Sequence, residues 1–231
     1  MRLNKFISET GVCSRRQADQ WIEQGRIRVN GSVAVLGTQV DEGDEVELDG
    51  KPLKPTAKSV YIALNKPVGI TCTTELHVPG NIIDYIGHPQ RIFPIGRLDK
   101  DSEGLILLTN NGDIVNELLR VENRHEKEYV VTVDRPASDD FLDGMARGVE
   151  ILGVTTQPCK VRRIGRNVFA IVLTQGLNRQ IRRMCAVFDY KVQRLQRVRI
   201  VNIGLQGIKV GQWRDLSMDE LHGLLPNRSD W

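Results

Sequence analysis

Long apolar runs are missing from this 231-residue chain. No stretch approaches the length that crosses a bilayer, and the opening MRLNKFISETGVCSRR has no uninterrupted apolar core. These absences predict a cytoplasmic protein with no membrane association. Cysteine is scarce too. Cys13, Cys72, Cys159 and Cys185 stand far apart, with no C-x-x-C and no nearby His pair, so their spacing predicts free thiols in a reducing compartment and no zinc site. Repeats and low-complexity tracts are also lacking, and 40% hydrophobic with 26% charged residues is ordinary globular content rather than that of a disordered or fibrous chain. The length has room for one large domain, or for a substantial domain and a small one. A net charge of +3 says little about partners until the charge is located.

It is concentrated in two places, the first at the start of the chain. Within residues 1–30, Arg2, Lys5, Arg15, Arg16, Arg26 and Arg28 outnumber Glu9, Asp19 and Glu23. SRRQADQWIEQG has Ser14 and Gln17 in capping-box spacing and Gly25 at a helix C-cap position, which predicts a short helix burying Ala18, Trp21 and Ile22. Arg15 and Arg16 fall on its exposed first turn. RIRVNGSVAV then reads as a hairpin, because Asn30-Gly31 suits a type I′ turn. Arginines on a helix beside a hairpin form either a solvated face or a concave basic surface matching phosphates. DEGDEVELDG carries six acids and predicts an outward strand at the far edge of this module. KPLKPTAKS follows without periodicity and reads as a linker. The expected division is a small domain with linker at 1–58 and a larger domain at 59–231.

In the larger domain VYIALN, GLILLT, KEYVVTV, VFAIVLT and KVQRLQRVRIVNI read as strands. DIVNELLR after Asn110-Asn111-Gly112, DDFLDGMARG after Ser138, RQIRRMCAVF after Asn178 and MDELHGLL after Ser217 read as capped helices. Strands in succession with only some helices between them predict an α+β fold on a mostly antiparallel, mixed sheet. GITCTTELHVPGNIIDYIGHPQRIFPIG is long, polar and rich in Gly and Pro, and is expected to be a loop contributing to a substrate cleft.

That loop leads to GRLDKDSEGLILLTNNGD, where Asp99 stands at the mouth of an apolar segment. If Asn178 caps the helix of GLNRQIRRMCAVF, then Ile181, Met184, Cys185 and Phe188 share its buried face. Arg179 and Arg183 point away from that face and Arg182 lies on its border. An inward Arg182 needs a carboxylate, and Asp99 is the candidate. Between Asn178 and Arg199 seven basic residues, including Arg194 and Arg197, face the single acid Asp189. Two basic regions in one chain make nucleic acid the economical partner.

Two resemblances sharpen this reading. RLNKFISETGVCSRRQADQWIEQGRIRVNG resembles the small RNA-binding domain first described in a ribosomal small-subunit protein, which implies RNA binding through the face of Arg15 and Arg16. GRLDKDSEGLILLTNNGD resembles the catalytic signature of the RsuA family of pseudouridine synthases, with LNKPVGI, HEKEYVV and GLNRQIRRMC matching its other motifs in order. The resemblance implies that Asp99 is the catalytic carboxylate, Tyr129 the ring stacked on the target base, Arg182 the partner of Asp99, and Arg97 the side chain filling the space left by a flipped nucleotide. It also implies no metal and no cofactor. The expected partner is ribosomal RNA, at a large-subunit site near the peptidyl-transferase centre, with tRNA as an alternative substrate. Arg2, Lys5, Arg15, Arg16, Arg179, Arg183, Arg194 and Arg197 are the expected RNA contacts, and the protein is expected to be a monomer. For Lys66 and Pro67 a strand end and a direct role stand about equal.

Two rival readings remain open at this level. Asp99 with Asp101 or Glu103 could form the carboxylate pair of a glycoside or nucleoside hydrolase, which fails if Asp101 and Glu103 are exposed turn residues. A non-catalytic RNA-binding ribosome-assembly factor would use both basic regions but would leave the setting of Asp99 unexplained.

Overall fold

The computed structural model describes residues 1–55, 58–120 and 124–228. Among these, no helix is long and apolar enough to cross a membrane. The chain divides into two compact units, one of residues 1–60 with 88–92 and 109–112, the other of the remaining segments from 61 onward. The expected linker at 51–59 includes Thr56 and Ala57, which lie outside the described residues.

The first unit opens with α1 (Leu3–Glu9) and α2 (Arg15–Glu23), followed by β1 (Ile27–Val29), β2 (Ser32–Val33), β3 (Val46–Leu48) and β4 (Lys51–Pro52). The Ser14 hydroxyl accepts the Gln17 backbone N–H to start α2, and Gly25 at φ 69° ends it. Such a cap is worth about 1 kcal/mol because it satisfies an otherwise orphaned donor. Ala18 and Ile22 pack with Leu3, Ile7, Ile27, Val40 and Val46 in a small core. Asn30 at φ 50° and Gly31 at φ 79° make the expected turn, and Val29 faces Ser32 across it.

The acidic segment departs from expectation. The strand order is β2-β1-β3-β4, so β3 lies inside the sheet beside β1, and Val46 is buried. Its acids serve the turn and the arginines nearby. Asn30 receives the Glu45 N–H and donates to Asp44, each at 2.9 Å, while Asp49 holds Arg26. Arg26 also lies over the Trp21 ring at 5.1 Å, which explains why Trp21 is half-buried rather than interior.

The second unit runs β5 (Tyr61–Lys66), α3 (Ile82–Ile86), β6 (Phe93–Pro94), β7 (Glu103–Thr109), α4 (Asp113–Leu119), β8 (Lys127–Val133), α5 (Asp139–Arg147), β9 (Glu150–Ile151), β10 (Val154–Thr155), β11 (Lys160–Gly165), β12 (Val168–Leu173), α6 (Gln180–Val187), β13 (Val192–Ile200), β14 (Ile203–Gly204), β15 (Trp213–Asp215) and α7 (Met218–Leu224). Its main sheet has the order β11-β12-β8-β13-β7-β5-β15, with β14 on β13 and β6 on β7. Pairings β11–β12, β12–β8, β8–β13 and β5–β15 are antiparallel, whereas β13 and β7 run parallel. The unit is therefore α+β on a mixed sheet. Two clusters flank β13. Leu195 belongs with Val131, Phe141, Phe169 and Met184, and Ile200 with Leu105, Leu107, Ile114 and Leu221. The expected loop before Asp99 contains α3, capped by Asn81, whose side chain accepts the Asp84 N–H.

The parallel junction depends on one glycine. Gly104, opposite Arg197, has φ +105°, and a Cβ there would lie 2.2 Å from the Arg197 carbonyl oxygen. Both the conformation and the space require glycine. Gly104→Ala is expected to destabilise the second unit by at least about 2 kcal/mol, read as a lower urea midpoint with an unchanged slope. An unchanged midpoint would show that β7 and β13 can part without cost.

Candidate active site

Asp99 lies in a tight turn at the entrance to β7. The Ser102 N–H donates to the Asp99 carbonyl at 3.0 Å, closing the four residues Asp99-Lys100-Asp101-Ser102. Three contacts from distant parts of the chain pin this turn. The Gly69 N–H donates to the Lys100 carbonyl at 2.7 Å, from a glycine at φ 95°. Arg182 donates through Nη2 to the Asp101 carbonyl at 2.9 Å and to the Ser102 hydroxyl at 3.2 Å. The Leu98 N–H reaches Cys72 Sγ at 3.4 Å, just ahead of the turn.

The arginines are arranged differently from the expected pairing. Arg182 does turn inward, but its ion-pair partner is Asp101, with Nε 3.4 Å from Oδ2. The guanidinium that reaches Asp99 belongs to Arg179, at 3.5 Å. The physical reason lies at the start of α6. Asn178 does not cap it; Arg179 is the N-cap, at φ 48° and ψ 36°, without a side-chain cap, and Asn178 instead receives Arg183 on both its backbone and side-chain carbonyl oxygens. The left-handed residue turns the Arg179 side chain back to the turn, where it grips Asp101 with Nη1–Oδ1 at 2.9 Å and Nη2–Oδ2 at 2.8 Å. Arg179 thereby holds the Asp101 carboxyl below the ordinary carboxylate range, reinforced by Arg182. The helix face is otherwise as expected, with Ile181, Met184 and Cys185 buried and Phe188 half-buried. Gln180, whose importance its sequence context did not signal, is also buried and accepts the Leu177 N–H at 3.0 Å, fixing the approach to α6.

Lys66 is fully buried at the end of β5, and its ammonium donates to the carbonyls of Pro67 and Ile70 at 2.9 Å each. Burial pulls its pKa below that of ordinary lysine, while Cys72, Asp101, Asp99 and Glu103 oppose the shift. Its observed contacts are those of a strand end that shapes the 67–70 turn carrying Gly69. Tyr129 is half-buried in β8, packed on the cluster that holds Val131 and Val133 and paired with Ile171 and Arg197. Arg97 is exposed, and among the described residues no acidic side chain lies within 4 Å of it.

Of the expected RNA contacts, Arg2, Arg15, Arg16, Arg179 and Arg183 are exposed. Lys5 is half-buried beside Glu9 at 3.5 Å, and Arg194, also exposed, pairs with Glu103. Arg197 does not fit that expectation. It is 4% exposed, its Nε donates to the Leu105 carbonyl at 2.7 Å, and its Nη1 reaches the Arg97 carbonyl at 3.5 Å. Two residues after buried Leu195, it falls on the same covered face of β13, which a run of basic residues could not reveal. Glu103 is also not an exposed turn residue: it begins β7 with a side chain 12% exposed. Neither partner of the hydrolase pair is free for acid work: Asp101 is gripped by Arg179, which lowers its pKa, and Glu103 is paired with Arg194.

Comparison with known proteins identifies the family. Residues 60–187 match the RNA pseudouridylate synthase family and residues 1–46 match the S4 domain. The dual-specificity RNA pseudouridine synthase RluF of Escherichia coli K12 is 56% identical, over 96% of this chain and 77% of that protein. The ribosomal large subunit pseudouridine synthase B of Bacillus subtilis is 33% identical, over 96% and 95% respectively. A crystal structure of a pseudouridylate synthase superposes with TM-score 0.72 at 28% identity, covering 97% of this chain and all of that one. The chain belongs to the RNA pseudouridylate synthase family and carries an N-terminal S4 domain.

The burial of Arg197 separates it from its exposed neighbours experimentally. Arg183→Gln is expected to lower the slope of log affinity against log salt for RNA by about one. Arg197→Gln should leave that slope alone and destabilise the fold by about 1–3 kcal/mol. A salt slope reduced equally by both would place Arg197 at the RNA surface.

Proposed function

We propose that this pseudouridine synthase isomerises a uridine of ribosomal RNA, at a large-subunit site near the peptidyl-transferase centre, with Asp99 as the reacting carboxylate. The observation that carries the assignment is the setting of Asp99. Its turn is fixed by Gly69, Arg182 and the Ser102 N–H, a cation stands 3.5 Å away, and among the described residues no donor hydrogen-bonds its carboxylate oxygens. A carboxylate held in place with free lone pairs can act as a nucleophile at C1′ or remove a proton.

The reaction balances without any other reactant. The N1–C1′ bond breaks, the base turns, C5 bonds to C1′, and the proton that C5 loses is matched by one gained at N1. Because the target base is inaccessible in stacked RNA, it must be flipped out at a cost of about a few kcal/mol, offset in part by stacking on an aromatic ring. Tyr129 provides the ring, and the exposed, acid-free Arg97 fills the vacated space. Residues 1–58 act as the RNA-holding domain and linker, through Arg2, Lys5, Arg15 and Arg16, while 59–231 act as the catalytic domain with Arg183 and Arg194 on the phosphates. The RluF relative is named a dual-specificity RNA enzyme, which favours a second reading with more than one RNA substrate; tRNA is the second substrate to be tested.

The test is pseudouridine mapping of rRNA and tRNA incubated with the wild-type protein or Asp99→Asn. The wild type should form a new pseudouridine in large-subunit rRNA, and Asp99→Asn should bind RNA equally while losing about 10²–10⁴-fold or more in kcat. Turnover by Asp99→Asn at the wild-type rate would remove Asp99 from the chemistry. RNA binding without any modification by the wild type would favour an assembly factor.

A further inference from the structure

Asp101 is the most heavily engaged carboxylate around the Asp99 turn, yet no part of the isomerisation requires it. Its two oxygens take both arms of the Arg179 guanidinium at 2.9 and 2.8 Å, and Oδ2 also lies 3.4 Å from Arg182 Nε. Asp99, two residues earlier, has only the 3.5 Å contact to Nη1 of the same Arg179. The Arg179 side chain is 40% exposed, and its backbone is in the left-handed region, which a non-glycine residue seldom adopts without a local cause. The bidentate grip accompanies that conformation: a planar guanidinium matched to a planar carboxylate fixes orientation as well as distance.

We infer that Asp101 is a positioning residue for the proposed chemistry, holding the Arg179 guanidinium beside Asp99 without letting it close onto the reacting oxygens. This inference rests on the assignment of Asp99 as the reacting carboxylate. Both arms of Arg179 are occupied by Asp101, so Asp99 receives a positive charge at 3.5 Å while keeping its lone pairs available. Arg182 adds a second tie, because it donates to the Asp101 backbone carbonyl at 2.9 Å and fixes the residue from which the carboxylate projects. Removing the Asp101 carboxylate frees Arg179 either to swing into solvent or to collapse onto Asp99. Each outcome impairs turnover, and neither alters the phosphate-binding surface of the small domain.

The experiment is single-turnover and steady-state kinetics on rRNA with Asp101→Asn, Asp101→Glu, Arg179→Lys and the Asp101→Asn/Arg179→Lys double variant. Asp101→Asn is expected to lower kcat about 10²-fold, the scale of a displacement of about 1 Å in a positioned group, with KM and RNA affinity unchanged. Arg179→Lys keeps the charge but cannot grip both oxygens, and should lose a comparable factor. The double variant should then be no worse than either single one, because the two residues act as a unit. Asp101→Glu, which retains a carboxylate, should recover part of the loss. Additive losses in the double variant, or a wild-type kcat for Asp101→Asn, would overturn the inference. Should Asp101→Asn fail to fold by circular dichroism, Arg179→Lys alone decides, since an undiminished kcat there is equally fatal. Asp99→Asn run alongside separates the two ideas: an active Asp99→Asn ends the site assignment itself, whereas an inert Asp99→Asn with a fully active Asp101→Asn ends only the positioning role.

Discussion

The parallel contact between β7 and β13 is the constraint on which the site depends. β7 begins immediately after the Asp99 turn, and β13 follows α6 after a short connection, so their junction brings Arg179 and Arg182 to a turn about 80 positions earlier in the chain. Gly104 permits that approach, because any side chain at this position would meet the backbone of Arg197. Arg197 then uses its buried guanidinium to bond the Leu105 and Arg97 carbonyls, tying the strand to the segment that precedes Asp99. A basic residue in the densest positive stretch of the sequence is thus part of the frame around the site.

Charge near the site is distributed over several layers. Lys66 is buried deepest, its ammonium spent on two carbonyls that shape the turn carrying Gly69. Asp99 comes next, with its side chain a third exposed, and Arg179 and Asp101 lie outermost. A buried charge must be paired or hydrogen-bonded, whereas a reacting carboxylate must keep oxygens free. Farther along the sheet, Arg199 between Glu126 and Glu128, with Arg162 and Lys160 joining them, neutralises more of the positive run.

The small unit shows the same economy. Its acidic hairpin does not stand apart from the basic helix; Asp49 takes Arg26, and Asp44 with Glu45 secures the Asn30 turn. Arg15 and Arg16 are left exposed on the first turn of α2. Their side chains lie near a helix N-terminus, where unpaired backbone donors also favour an anion.

Local chemistry could be read directly from residue order, because it is carried by neighbours in the chain. Ser14, Ser138 and Ser217 capped the helices they precede, Asn30-Gly31 made its hairpin turn, and KEYVVTV became β8. The α6 face of Ile181, Met184 and Cys185 followed from its period. The family signature around Asp99 was equally legible. Which arginine meets which carboxylate was not, because a border position on a helix leaves several rotations open, and both the left-handed Arg179 and Arg182 meet Asp101, a residue about 80 positions earlier. The interior placement of Arg197 and Glu103 depended in the same way on a parallel register between strands about 90 residues apart. Sequence periodicity specifies the faces of an element, but only packing against a particular neighbour determines which face meets solvent, which meets the core, and which charges find each other.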